Sequence, residues 1–270
     1  HAVHATKKYE KSILGDDGAT VEPVPEPSGT VEKCIFIENT AKKLGTVYFN
    51  MRSKVYDSYF TNNSASEKGG AIYFIADGNI ENSEFKNNSA RNGGAVYFDQ
   101  SLWHVEVNKC IFTLNRAVNG GAIYTNAKTN IKNSNFTENI AKYASDAIYI
   151  FHDGGAIFAA SSSNVNIEKC TFTSNTASGH GGAVSLYGTG TVTYSNFIGN
   201  SASGYGGAIY SENKFDIDNS LFEYNAAGIG SAIYLKSVDC TLSNSVLLNN
   251  RANSYMIKIT KTGFNIEIEF

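Results

Sequence analysis

The chain is patterned in short pieces. Apolar runs of three to five residues alternate with Gly-Gly, Asp-Gly and Asn-Ser breaks, and no run sustains the 3.6-residue period of an amphipathic helix. Around residues 71–85, for example, strand-like pieces fall at Ala71–Ile75, near Ile80 and at Ser83–Phe85. Three short strands and three turns fill about 25 residues, and then the pattern starts again.

The repeat is explicit when aligned on one aromatic position: Phe36, Phe60, Phe85, Phe112, Phe136, Phe172, Phe197, Phe222 and then Leu247. Steps are 24 to 27 residues, with a single step of 36. All nine units carry Asn three residues later and Ala five residues later, as in Asn63 and Ala65 or Asn115 and Ala117. Six also carry Gly-Gly-Ala-(Ile/Val) after that. A fixed period of this length means a solenoid, in which each unit stacks on its neighbours. The strand-like pieces predict an all-β chain: a right-handed parallel β-helix of about nine coils, roughly 43 Å long at one strand spacing per coil. Phe is expected inward, stacked on the next coil's Phe. Asn is expected in a turn, either in a left-handed conformation or in a ladder of stacked amides.

Residues 1–30 lack the motif and read as a lead-in with a Pro-rich segment, Val21 to Gly29, and a possible cap. Residues 31–270 form the repeat domain. The 36-residue step implies an insertion near 144–156, where the strand phrase occurs twice, at Ala147-Ile148-Tyr149 and Ala156-Ile157-Phe158. Either copy fits the ladder, and the remainder is expected to protrude as a loop bearing His152 and Asp153, which are candidate binding residues unless the loop is simply a tolerated insertion. "NIEIEF" at the end reads like the middle of a strand, and either belongs to a longer surface protein, as expected, or closes the last coil.

Repeated Phe-x-x-Asn beside Gly-Gly-Ala-(Ile/Val) resembles the chlamydial polymorphic outer-membrane protein repeat. It is equally similar to adhesin-like surface proteins of methanogenic archaea. The likeness covers about residues 31 to 258. It implies a cell-surface or secreted, non-catalytic module that attaches to a host or partner-cell glycan or protein, and it carries over no catalytic residue. The triplets Asn62-Asn63-Ser64, Asn87-Asn88-Ser89 and Asn135-Phe136-Thr137 fit export as glycan acceptors.

Charge narrows the partners. The net charge of −3 leaves no basic footprint for nucleic acid. No apolar stretch approaches the roughly 18 residues of a transmembrane helix, so no spanning segment is expected in this chain. Cys34, Cys110 and Cys170 each lie two residues before their Phe, where other units have Ser. They are two or more rungs apart, about 9.6 Å or more, and a disulfide needs Cα atoms within about 7 Å. Cys240 lies elsewhere, so no disulfide is expected.

Two surfaces could carry function. Tyr73, Tyr97, Tyr124, Tyr210 and Tyr234 each follow the inward Ile or Val of their unit. Strand side chains alternate, so with Ile and Val inward these rings are expected to face outward as a solvent-facing platform for a sugar or protein; with Ile and Val outward they would instead be core. The competing class is a carbohydrate-active enzyme, a polysaccharide lyase or hydrolase on the same scaffold. Its best acidic cluster is Asp216 and Asp218 with Glu168 two rungs away, which would also be the weak alternative for a metal. A solvated strand face explains that cluster equally well. No cofactor is expected.

Overall fold

The computed structural model describes residues 3–5, 28–99, 105–142, 153–237, 239–255 and 257–259. They form an all-β parallel solenoid of about eight turns. Nine phenylalanine-position strands give eight steps, or about 38 Å, one step less than a count of repeat units suggests. The chain visits three long sheets in every turn. One sheet holds the Phe strands, from Ile35–Ile37 to Val246–Leu248. The second, which we call the tyrosine sheet, includes Ile72–Phe74, Val96–Phe98 and Ile209–Ser211. The third, the polar sheet, runs from Ser28–Glu32 to Leu242–Ser243. Short strands such as Arg116–Ala117 and Ile140–Ala141 link the Phe sheet to the tyrosine sheet.

Pairing is in register from coil to coil, so each repeated residue becomes a column. Phe85 pairs with Phe112 and Phe112 with Phe136. Their rings stack 4.8 Å apart and within 6° of parallel, fully buried. Offset ring stacking adds to the burial of apolar area, which is the main driving force. The inward residues of the other two sheets, among them Ile72, Val96, Ile80 and Val107, complete one continuous core.

The motif Asn is an amide ladder rather than a left-handed turn residue. Asn115 donates from Nδ2 to the Phe85 carbonyl (2.9 Å) and to Asn139 Oδ1 (2.9 Å), while its own Oδ1 accepts from the backbone N–H and Nδ2 of Asn88 (3.0 Å each). Buried amides are tolerated here because every donor has a partner. The left-handed backbone belongs to the residue before, as at Asn62 (φ 57°) and Asn87 (φ 52°). The Gly pair divides two tasks. Gly93 takes φ +63°, and a Cβ on Gly94 would lie 2.2 Å from the Gly121 carbonyl oxygen, so the coils can close only without side chains there.

The Cys positions sit in a serine ladder. Ser134 Oγ accepts from the Cys110 N–H (3.0 Å) and Ser195 Oγ from the Cys170 N–H (3.1 Å). Burial pushes both thiols up to about 12. All four cysteines are free.

The second copy of the duplicated phrase occupies the ladder. Ile157–Ala159 pairs with Ile123–Thr125 on one side and Val184–Leu186 on the other. Gly154 and Gly155 therefore take the place of the paired glycines, and residues 153–156 belong to the wall rather than to the insertion. The first copy lies outside the described residues.

Candidate functional site: the tyrosine wall

The structure places Ile72, Val96, Ile123 and Ile209 inside, and their neighbouring tyrosines on the outer side of the sheet. The expected exposure does not follow. Tyr73, Tyr97, Tyr210 and Tyr234 are only 1–7 % exposed, and Tyr124 is intermediate. Two effects bury them. Rings are covered by the next coil's ring: Tyr73 meets Tyr97 edge to face at 5.2 Å, while Tyr97 stacks on Tyr124 at 4.7 Å and Tyr210 on Tyr234 at 5.6 Å between centroids. Ring edges are covered by two flanking columns.

The first flank is the residue just before each Gly pair: Lys68, Asn92, Asn119, Asp153, His180 and Tyr205, continuous through backbone bonds from coil to coil. Lys68 Nζ lies 4.6 Å from the Tyr97 ring centroid and 5.3 Å from that of Tyr73, a cation–π geometry. His180 stacks 4.7 Å from both Tyr205 and Tyr210, and its Nδ1 accepts the Tyr205 N–H (3.3 Å). The second flank lies two residues after each tyrosine. There Asp99 accepts the Tyr73 hydroxyl and Glu212 that of Tyr210, while Asn126 Nδ2 donates to the Tyr97 oxygen at 2.9 Å. Lys68 and Asp99 are 3.7 Å apart, and Lys236 and Glu212 2.8 Å. Where Ser185 interrupts the column, the Tyr187 ring fills in, 5.6 Å from Phe158 and 5.9 Å from Tyr210.

The electrostatics suit a wall. Burial raises the Tyr73 and Tyr210 phenols well above the ordinary range, and their bonds to Asp99 and Glu212 add to the effect. Burial also raises Tyr97, and pushes Tyr187 up to about 12. Burial opposes ionisation of Glu212, but the bonds from Lys236 and Tyr210 outweigh it and hold the carboxyl below its usual range. These phenols are neutral, partnered and closed in. They are suited to packing coils together rather than to meeting a ligand.

The other candidates separate. Asp153 is fully buried, with its carboxylate accepting the Gly179 N–H. The expectation that it sits on a protruding loop is corrected, because the second phrase copy draws it into the first flank. His152 lies outside the described residues. Asp216 Oδ1 accepts from the Thr241 N–H (3.0 Å) and hydroxyl (2.9 Å), and Asp218 Oδ1 accepts from Ser243 (2.7 Å) and Asn244 (2.8 Å). Those hydrogen bonds lower the Asp218 carboxyl below its ordinary range. Thr193 stands between Asp218 and Glu168 in the ladder. Among the described residues no group of three or more His, Cys, Asp or Glu converges on a metal position, and no helix is long and apolar enough to cross a membrane.

The coils can now be set beside known proteins. The model of the Chlamydia polymorphic membrane protein repeat matches at residues 57–75, 82–99, 109–126, 169–187 and 194–212. Five of its coils match the polymorphic membrane protein repeat. Each match begins near the left-handed corner before a Phe and ends at or just past the following tyrosine column, so the repeat unit contains the Phe, Asn and Gly-Gly ladders together. No curated protein and no solved structure matches the chain. Sequence reasoning missed Lys68, Asp99, His180 and Glu212. Their signal was positional, since both flanks sit at fixed offsets from the repeat's Gly pair and tyrosine.

Proposed function

We propose that this chain is a non-catalytic, adhesin-like β-helix at the cell surface or secreted, which attaches to a glycan or protein of a host or partner cell. The family of its repeats supports the surface setting, and the residue pattern it shares with adhesin-like proteins of methanogenic archaea points the same way. One observation carries the reading. The Phe and Asn columns repeat one residue type from coil to coil, whereas the outward column of the polar sheet changes freely: Lys54, Asn79, Glu106, Asn130, Asn166, Thr191. A scaffold that keeps its core and varies its outer face is how repeat proteins present recognition surfaces. With the tyrosines closed into the wall, the contact falls to such outward positions.

A screen on immobilised glycans and intact cells tests this. Saturable binding without release of product is expected. Cleavage of an acidic polysaccharide that is lost in the Asp216→Ala/Asp218→Ala variant would replace the adhesin with the enzyme.

A further inference from the structure

The exposed apolar side chains of this molecule are not scattered. Of the nine large hydrophobic residues that stand exposed among the described residues, six lie on the outer face of the Phe sheet: Ile35, Ile37, Tyr59, Ile111, Val246 and Leu248. Two more, Tyr194 and Tyr224, occupy left-handed corners that border the same sheet. A concentration of this kind on one face marks an interaction surface. The face is flat by construction, because its nine strands pair in register. Its middle is uncharged, with Asn135, Thr137, Thr171 and Thr173 outward.

We propose that this face binds a second copy of the chain, about a two-fold axis parallel to the solenoid axis. Such an axis sets each coil opposite the same coil of the other copy and reverses the strand direction. The residue before each Phe then faces the residue after it. Ile35 meets Ile37 of the other copy, and Val246 meets Leu248, so both apolar ends are covered. Glu84 meets Lys86, the one strand of this face on which both outward residues are charged. At the corners Lys33 meets Glu38, Tyr194 meets Gly199, and Lys109 meets Leu114. No like charges are brought together in any of these pairs. A single chain that places an acid and a base symmetrically about its own Phe column is complementary to itself, as an isologous interface requires.

The area is sufficient. A face about 38 Å long and about 17 Å wide, corner to corner, buries roughly 650 Å² per copy, or roughly 1,300 Å² in all, within the range of specific interfaces. Parallel axes would also let both copies project in the same direction from one surface.

Sedimentation and light scattering on the full chain test the proposal. The expected species has twice the 29.2 kDa of one chain. Lys86→Glu sets a carboxylate opposite Glu84 of the other copy, twice in the symmetric dimer, and should weaken the dimer at least about tenfold. The double variant Glu84→Lys/Lys86→Glu restores opposite charges and should recover the original affinity to within about threefold. Lys86 is exposed, and the melting temperature of each variant checks that the coils remain folded. A chain that stays monomeric at about 100 μM overturns the proposal. So does a dimer indifferent to Lys86→Glu, or one that the double variant fails to restore.

Discussion

Asn115 shows what a single repeated residue does in this wall. It donates twice and accepts twice, and all four bonds cross to neighbouring coils, to Phe85 and Asn88 on one side and Asn139 on the other. Removing the amide therefore strands groups on other residues, which is costlier than the loss of its own bonds. Asn115→Ala should lower unfolding stability by about 3 kcal/mol or more, close to the cost of about 3–5 kcal/mol for emptying the neighbouring column with Phe112→Ala. Denaturant unfolding of the two variants side by side measures this. A loss below about 1 kcal/mol at Asn115 would mean that water or a shifted backbone replaces the amide, and that the ladder does not hold the coils together.

At the scale of an element, the tyrosine column joins coils through stacked rings and sealed edges. Its protonation gives a pH signature. Burial raises the phenols of Tyr73, Tyr97 and Tyr210 above their unfolded value of about 10. The unfolded chain therefore releases these protons first. Their contribution to stability is complete below about pH 10 and is lost as the pH rises toward the folded values. In an alkaline titration, the phenolate absorbance of these residues should appear together with the loss of circular dichroism, in one step. Ionisation of the whole column ahead of unfolding would show that the wall is open to solvent. This element also marks how far sequence can be read. Phe, Asn, Ala and Gly-Gly were legible because a solenoid forces each to recur at one offset. The inward choice of Ile and Val was legible from alternation. Burial of the tyrosines was not, because it depends on two flanks whose residue types vary along the stack, from Lys68 to His180 and from Asp99 to Glu212. The place of Asp153 was hidden for another reason. Two copies of one phrase competed for a single rung, and only the pairing of Ile157–Ala159 with Ile123–Thr125 decides between them.

The whole molecule is a stack in which each coil meets only the coils above and below it. Stability should then be close to a sum of coil and interface contributions. This can be tested by taking one coil out. Glu81 pairs with Asn108, one coil apart in the polar sheet. Deleting residues 82–108 joins Glu81 to Lys109 at the same point of the turn, so every ladder closes over the gap. Phe60 then meets Phe112, Asn63 meets Asn115 and Ile72 meets Ile123. The substitutions in the wall are tolerable. Tyr73 stacks on Tyr124 and loses the acceptor Asp99, while Asn126 arrives in its place. The shortened chain should keep its circular dichroism per residue and still unfold cooperatively. Its denaturant m-value should fall by about a tenth, in proportion to the surface removed. A deletion of half that length should behave differently. It shifts every following residue to the wrong side of the turn, brings polar outward residues into the Phe column, and should leave the chain unfolded or aggregated. If the whole-coil deletion fails as badly as the half-coil deletion, the coils are not interchangeable units, and some long-range contact outside the ladders holds the molecule together.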